Sequence, residues 1–104
     1  MRWYKHLYVG EMAKRKRYPL ISRIRYQKLQ KDAYVITLPE HGKNLLDIYP
    51  SYVLLSSWMK KENLLIVGIA CGKEEAMETA GRIIMETYRN TGTFEVSQYL
   101  QERR

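Results

Sequence analysis

The chain has 104 residues, a formal net charge of +7, 45% apolar and 28% charged side chains, and one cysteine. This is the size and balance of a single globular domain. It excludes a bilayer span, since no apolar run approaches the roughly 20 residues required, and a disulfide scaffold, since one cysteine cannot close an internal bridge.

Trp3–Gly10 (WYKHLYVG) reads as a strand, rich in aromatic and β-branched residues and closed by Gly10. Glu11–Tyr18 is a charged connection. Pro19 suits the first turn of a helix, where its missing N–H costs nothing. Leu20, Ile21 and Ile24 then share one helical face, which predicts a helix over Pro19–Gln30. SRIRYQK also alternates, so a strand is the rival there. Asp32–Glu40 is the next predicted strand, ended by Pro39. Asn44 offers a helix cap before LLDIY, Pro50 interrupts, and YVLLSSWMKK has helical spacing. Residues 44–61 are therefore predicted as two short helices.

Leu64–Ala70 is apolar throughout, the mark of a strand buried on both faces. Lys73–Arg89 is predicted as an amphipathic helix. Ala76, Met77, Ala80, Ile84, Thr87 and Tyr88 fall within an arc of roughly 120°, at about 100° per residue. Glu75, Glu78, Arg82, Glu86 and Arg89 fall on the other side. Glu74 and Glu75 in the first turn and Arg89 in the last suit the helix dipole. Asn90-Thr91-Gly92 ends it, and FEVSQYL is predicted as a short last strand or extended tail.

Alternation of strands and helices implies a small α/β domain. The expected sheet is mainly parallel, with three to four strands packed with helices. A ferredoxin-like α+β fold is the alternative, ranked lower because a helical segment is expected between Leu38 and Leu64, where that fold has a hairpin.

Parallel strands would gather three loops at one edge: Gly10–Lys14, Glu40–Asn44 and Cys71–Lys73. Gly72 and the helix start at Lys73 would then offer backbone N–H groups to an anion, beside Lys14 and Lys43. Gly68-Ile-Ala-Cys-Gly72-Lys73 is not a P-loop: three residues separate its glycines where four are needed, and Glu74 replaces the Ser or Thr. Cys71 is a candidate nucleophile, with His41 as its base and Asp47 to orient that histidine. A small buried residue at a strand end fits Cys71 equally well. No His, Cys or carboxylate spacing matches a metal site, and no cofactor is indicated.

The charge is uneven. Residues 1–31 carry ten basic side chains and one acid, a net +9, whereas residues 32–104 carry −2. Lys14-Arg15-Lys16-Arg17 is the densest run. Tyr18, Tyr26, Trp3, Tyr4 and Tyr8 stand close to it in sequence, a mixture that suits phosphate contact with base stacking. No named nucleic-acid module is present.

WYKHLYVGE, YVITLPE…NLLDI and LLIVGIACGKEEAMETAGRIIMETY resemble a group of small proteins of anaerobic Gram-positive gut bacteria. The resemblance covers nearly the whole chain. It implies a single cytoplasmic bacterial domain, and it carries no activity and no functional residue.

The N-terminus lacks the apolar stretch and small-residue cleavage site of a secretory signal, so a reducing cytoplasm is the expected location and no membrane contact is expected. The reading favours a binding protein over an enzyme. Its expected partner is nucleic acid or another polyanion, held by Lys14, Arg15, Lys16, Arg17, Lys43, Gly72 and Lys73. The alternatives are a small-molecule protein or enzyme at Cys71-Gly72-Lys73, and a homo-oligomer using apolar surface from 44–60.

Overall fold

The computed structural model describes residues 1–28, 30–39, 45–56 and 64–103. The strands are β1 (Arg2–Val9), β2 (Ala33–Leu38), β3 (Asp47–Pro50) and β4 (Leu65–Cys71). The helices are α1 (Arg17–Arg25), α2 (Lys73–Thr91) and α3 (Val96–Glu102), with 3-10 turns at Ala13–Lys16 and Ser51–Leu55. The four strands form one sheet in the order β1-β4-β2-β3.

β4 lies inside the sheet, as its unbroken apolar run predicts. Ile66, Val67, Ile69 and Ala70 are fully buried, with helices on both sides. Each large aliphatic side chain buried in this way contributes about 1.5–3 kcal/mol. Alternation along the strands, displaced by one residue where the β2–β4 register shifts, sorts the core into two layers. Val9, Val35, Ile66 and Ile69 face α1 and both 3-10 turns. Tyr8, Ile36, Leu38 and Val67 face Ala80 and Ile83 of α2 and Val96 and Leu100 of α3.

The mainly parallel sheet is not what forms. Only β1 and β4 run parallel; β2 is antiparallel to both β4 and β3. The cause lies in residues 47–50, expected to be helical. Ile48 packs into one core layer and Tyr49 into the other. That period of two belongs to a strand, and it pairs Asp47–Pro50 with Tyr34–Thr37. The expected pair of helices over 44–61 is thus replaced, in its described part, by an edge strand and the Ser51–Leu55 turn. Pro50 ends an edge strand, where a missing donor is tolerated. Leu54 of the 44–60 surface is core, and Trp58 lies outside the described residues. A mixed sheet with antiparallel pairs is consistent with the α+β alternative in class, although its helices cover both faces.

Two further expectations are corrected. α1 stops at Arg25, short of Gln30, because Gln27 takes a left-handed φ of 55°. FEVSQYL supplies a helix, since Val96, Tyr99 and Leu100 stand three and four apart and dock beside α2. α3 therefore adds no strand to β1, which remains a sheet edge. Tyr4 Oη donates to the Leu100 carbonyl at 2.9 Å, tying α3 to that edge strand.

No helix among the described residues is long and apolar enough to cross a membrane.

Candidate anion-binding groove

Antiparallel β2 decides which loops meet. Ala33 at its start pairs with Cys71, and Leu38 at its end pairs with Leu65. The carboxyl end of β2 therefore lies at the opposite edge from Cys71, about 20 Å away at roughly 3.3 Å per residue. The described strands therefore do not bring the carboxyl end of β2 to the edge where the other two loops lie. His41 and Lys43 lie outside the described residues.

The other two loops do meet, and the chain's own Glu75 occupies the place between them. Its carboxylate accepts the Met12 N–H at 2.5 Å and the Cys71 N–H at 2.6 Å. Glu75 is the third residue of α2, and an acid at that position commonly reaches back to N–H groups before the helix. Although expected on the outer face, it is 9% exposed. Gly10 makes room for it: a Cβ there would overlap the carboxyl group and stand 2.6 Å from Glu75 Cγ. Gly72 serves the bend itself, with a φ of 88° and its N–H on the Asp32 carbonyl at 2.6 Å. The Cys71 N–H is therefore engaged by the Glu75 side chain, and the Gly72 N–H, expected to meet an outside anion, by the Asp32 carbonyl.

A cleft of about 670 Å³ remains beside this junction. Arg15, Lys16 and Gly72 line it, but so do Glu11 and Asp32, so its charge is mixed. Burial pushes the Cys71 thiol above its ordinary value, and the Glu75 carboxylate pushes it further in the same direction. This opposes the thiolate that a nucleophile needs. Lys73 is exposed at the start of α2 and lines neither this cleft nor the groove described next.

The Lys14–Arg17 run is split by its own geometry. Arg15 and Lys16 turn to the mixed cleft, whereas Lys14 and Arg17, three residues apart across a 3-10 turn, line a groove of about 590 Å³. This groove follows residues 5–9 of β1 between α1 on one side and α2 with α3 on the other. Lys5, Arg82 and Arg103 join Lys14 and Arg17 there, and Glu86 is the one acid.

The five cations are not equivalent. Lys14 pairs with exposed Glu11 at 3.0 Å, an exposed contact of small energetic value. Arg103 Nη1 lies 3.3 Å from the Glu86 carboxylate and 2.6 Å from Tyr8 Oη. Tyr8 and Tyr99 both donate to that carboxylate, so the groove's acid is enclosed by donors. Arg82 donates to the Val9 carbonyl at 3.1 Å and acts on the Glu11 carboxylate from beyond ion-pair distance. Lys5 and Arg17 have no charged partner among those residues. His6 also lines the groove, and its Nε2 is shielded from solvent without a hydrogen-bond partner there.

Sequence proximity exposed only Lys14 and Arg17 of these five. Arg82 reads as an ordinary outer-face residue of α2, and Arg103 lies beyond FEVSQYL with no reading of its own. The free edge of β1 brings them to Lys14 and Arg17. The register opens there too: Trp3 stands opposite Ile66 and Tyr8 opposite Gly68, so the middle of β1 bows out of its ladder with β4.

Among the described residues no three His, Cys, Asp or Glu side chains gather as a metal set. No family model, curated protein or solved structure matches the chain.

Proposed function

We propose that the protein is a non-enzymatic, cytoplasmic binding module, of the bacterial group its sequence resembles, that holds a polyanion along the β1 groove. Nucleic acid is the partner this reading favours. One observation carries it: cationic side chains from three separate parts of the chain converge on one groove, and the groove's single acid is already hydrogen-bonded to two tyrosines. A focused field of one sign raises the rate of encounter with a polyanion. Tyr18, beside Arg17 and 77% exposed, offers a face for base stacking.

The alternative, a small-ligand or enzymatic site at Cys71-Gly72-Lys73, is less well supported. Glu75 holds the Cys71 N–H, the Asp32 carbonyl holds that of Gly72, and the thiol is pushed away from its reactive form.

The test is titration of a labelled single-stranded oligonucleotide at low salt, followed by fluorescence anisotropy. Lys5→Gln with Arg17→Gln removes two groove charges. Lys28→Gln with Lys31→Gln removes two charges from the same basic third, outside the groove. The proposal expects at least a tenfold loss in the first pair and little change in the second, tenfold being about 1.4 kcal/mol. Equal losses in both pairs would reduce the effect to net charge and overturn the groove.

A further inference from the structure

α2 carries apolar side chains beyond those its own core uses. Met77 and Tyr88, expected on the buried face, are 57% and 46% exposed, and Met85 is 50% exposed. The buried face is rotated instead toward Thr79, Ala80, Ile83 and Thr87. Tyr88 stacks on exposed Phe94 with ring centroids 4.8 Å apart, which extends the apolar side past the end of the helix. Gly81 stands in the middle. Glycine inside a helix is destabilising relative to alanine. Here no atom lies within 4 Å of where a Cβ would stand, so the monomer has no packing reason for it.

The spacing points to the occupant. Met77 is four residues before Gly81 and Met85 four residues after it. A two-fold axis through Gly81 sets Met77 of one chain against Met85 of the other, and the reverse, as an isologous interface requires. Seven residues out Glu74 meets Tyr88, and eight out Lys73 meets Arg89, so each end of the crossing places Glu74 of one chain between its own Lys73 and the Arg89 of the other. A parallel pair in register would set Glu74 against Glu74 and Arg89 against Arg89, with no acid facing a base. We infer that α2 pairs with α2 of a second copy of this chain, antiparallel and crossing at Gly81. The missing side chain lets the two backbones approach, and the methionines of each copy pack across the crossing. This surface is separate from the β1 groove, and the inference does not rest on nucleic-acid binding.

Two measurements test it. Sedimentation velocity from micromolar to millimolar concentration is expected to show a reversible dimer in the wild type. Gly81→Leu, a good helix former at an open position, should weaken that dimer at least tenfold while far-UV circular dichroism keeps the helical signal. For orientation, Met77→Cys and Met85→Cys chains are made in a Cys71→Ser background, mixed and oxidised. The antiparallel pair expects disulfides between the two different variants in excess over disulfides within either. A wild type that stays monomeric, a dimer indifferent to Gly81→Leu, or like-with-like disulfides would each overturn the inference.

Discussion

Gly10 and Glu75 are coupled strongly enough to be tested as a pair. Glu75→Ala strands the Met12 and Cys71 N–H groups that the carboxylate now satisfies. Each buried, unsatisfied donor costs about 1–3 kcal/mol. Met12 is exposed and Cys71 half-buried, so water reaches part of the vacated space and the total falls to about 2–4 kcal/mol. Gly10→Ala forces a methyl group into the carboxylate. Overpacking of this kind costs about 1–3 kcal/mol, or roughly 5–25 °C in Tm for a domain of this size. The three nearest atoms to that methyl all belong to Glu75, and Gly10 does not have a positive φ. In a Glu75→Ala background Gly10→Ala should therefore be neutral, or stabilising by up to about 1 kcal/mol through the unfolded chain. Urea denaturation of both single variants and the double variant, with m held constant, measures the coupling. If Gly10→Ala costs the same in both backgrounds, Glu75 is not what excludes a side chain at position 10.

Cys71 should alkylate slowly at neutral pH, with a pH–rate midpoint above that of a free thiol. Glu75→Gln should lower that midpoint by removing the nearby negative charge. A wild-type midpoint below the free-thiol value would contradict the burial and the charge assigned to it. Tyr8 makes the fold sensitive to alkali. Burial first, and then donation to Glu86, hold its phenol far above the ordinary value. The folded chain thus keeps this proton more tightly than the unfolded chain. The stability it adds is whole below about pH 10, the unfolded value, and is lost as pH rises through the folded value. Tm should be level toward pH 9 and fall beyond about pH 10. Tyr8→Phe should flatten that fall, and an unchanged alkaline slope would count against the assignment.

What the sequence reveals follows from which patterns are local. β4 and α2 are legible because a two-sided apolar run and a long helical period each need no knowledge of their neighbours. Asp47–Pro50 is harder, because four residues are too few to separate a strand from a helical turn. Only pairing with Tyr34–Thr37 decides it. Strand direction then follows from that antiparallel pairing, and with it the distance between the end of β2 and Cys71. FEVSQYL has strand-like composition, but Val96 and Leu100 find their partners on α2 only when spaced as a helix. Glu75 carried a local signal, an acid at the third helical position after CGKE, which the outer-face periodicity obscured. Arg82 and Arg103 carried none. Their place beside Lys14 and Arg17 is a product of topology, and so is the separation of Arg15 and Lys16 from them.

The groove's claim to a polyanion is tested most directly by the salt dependence of single-stranded oligonucleotide binding. Each phosphate neutralised contributes about −0.7 to the slope of log K against log salt. Lys5, Arg17 and Arg82, which form no close ion pair among the described residues, predict a slope of about −2. Lys5→Gln with Arg17→Gln should bring it to about −0.7. No binding at low salt, or a slope that these two substitutions leave unchanged, would contradict the groove as the binding surface.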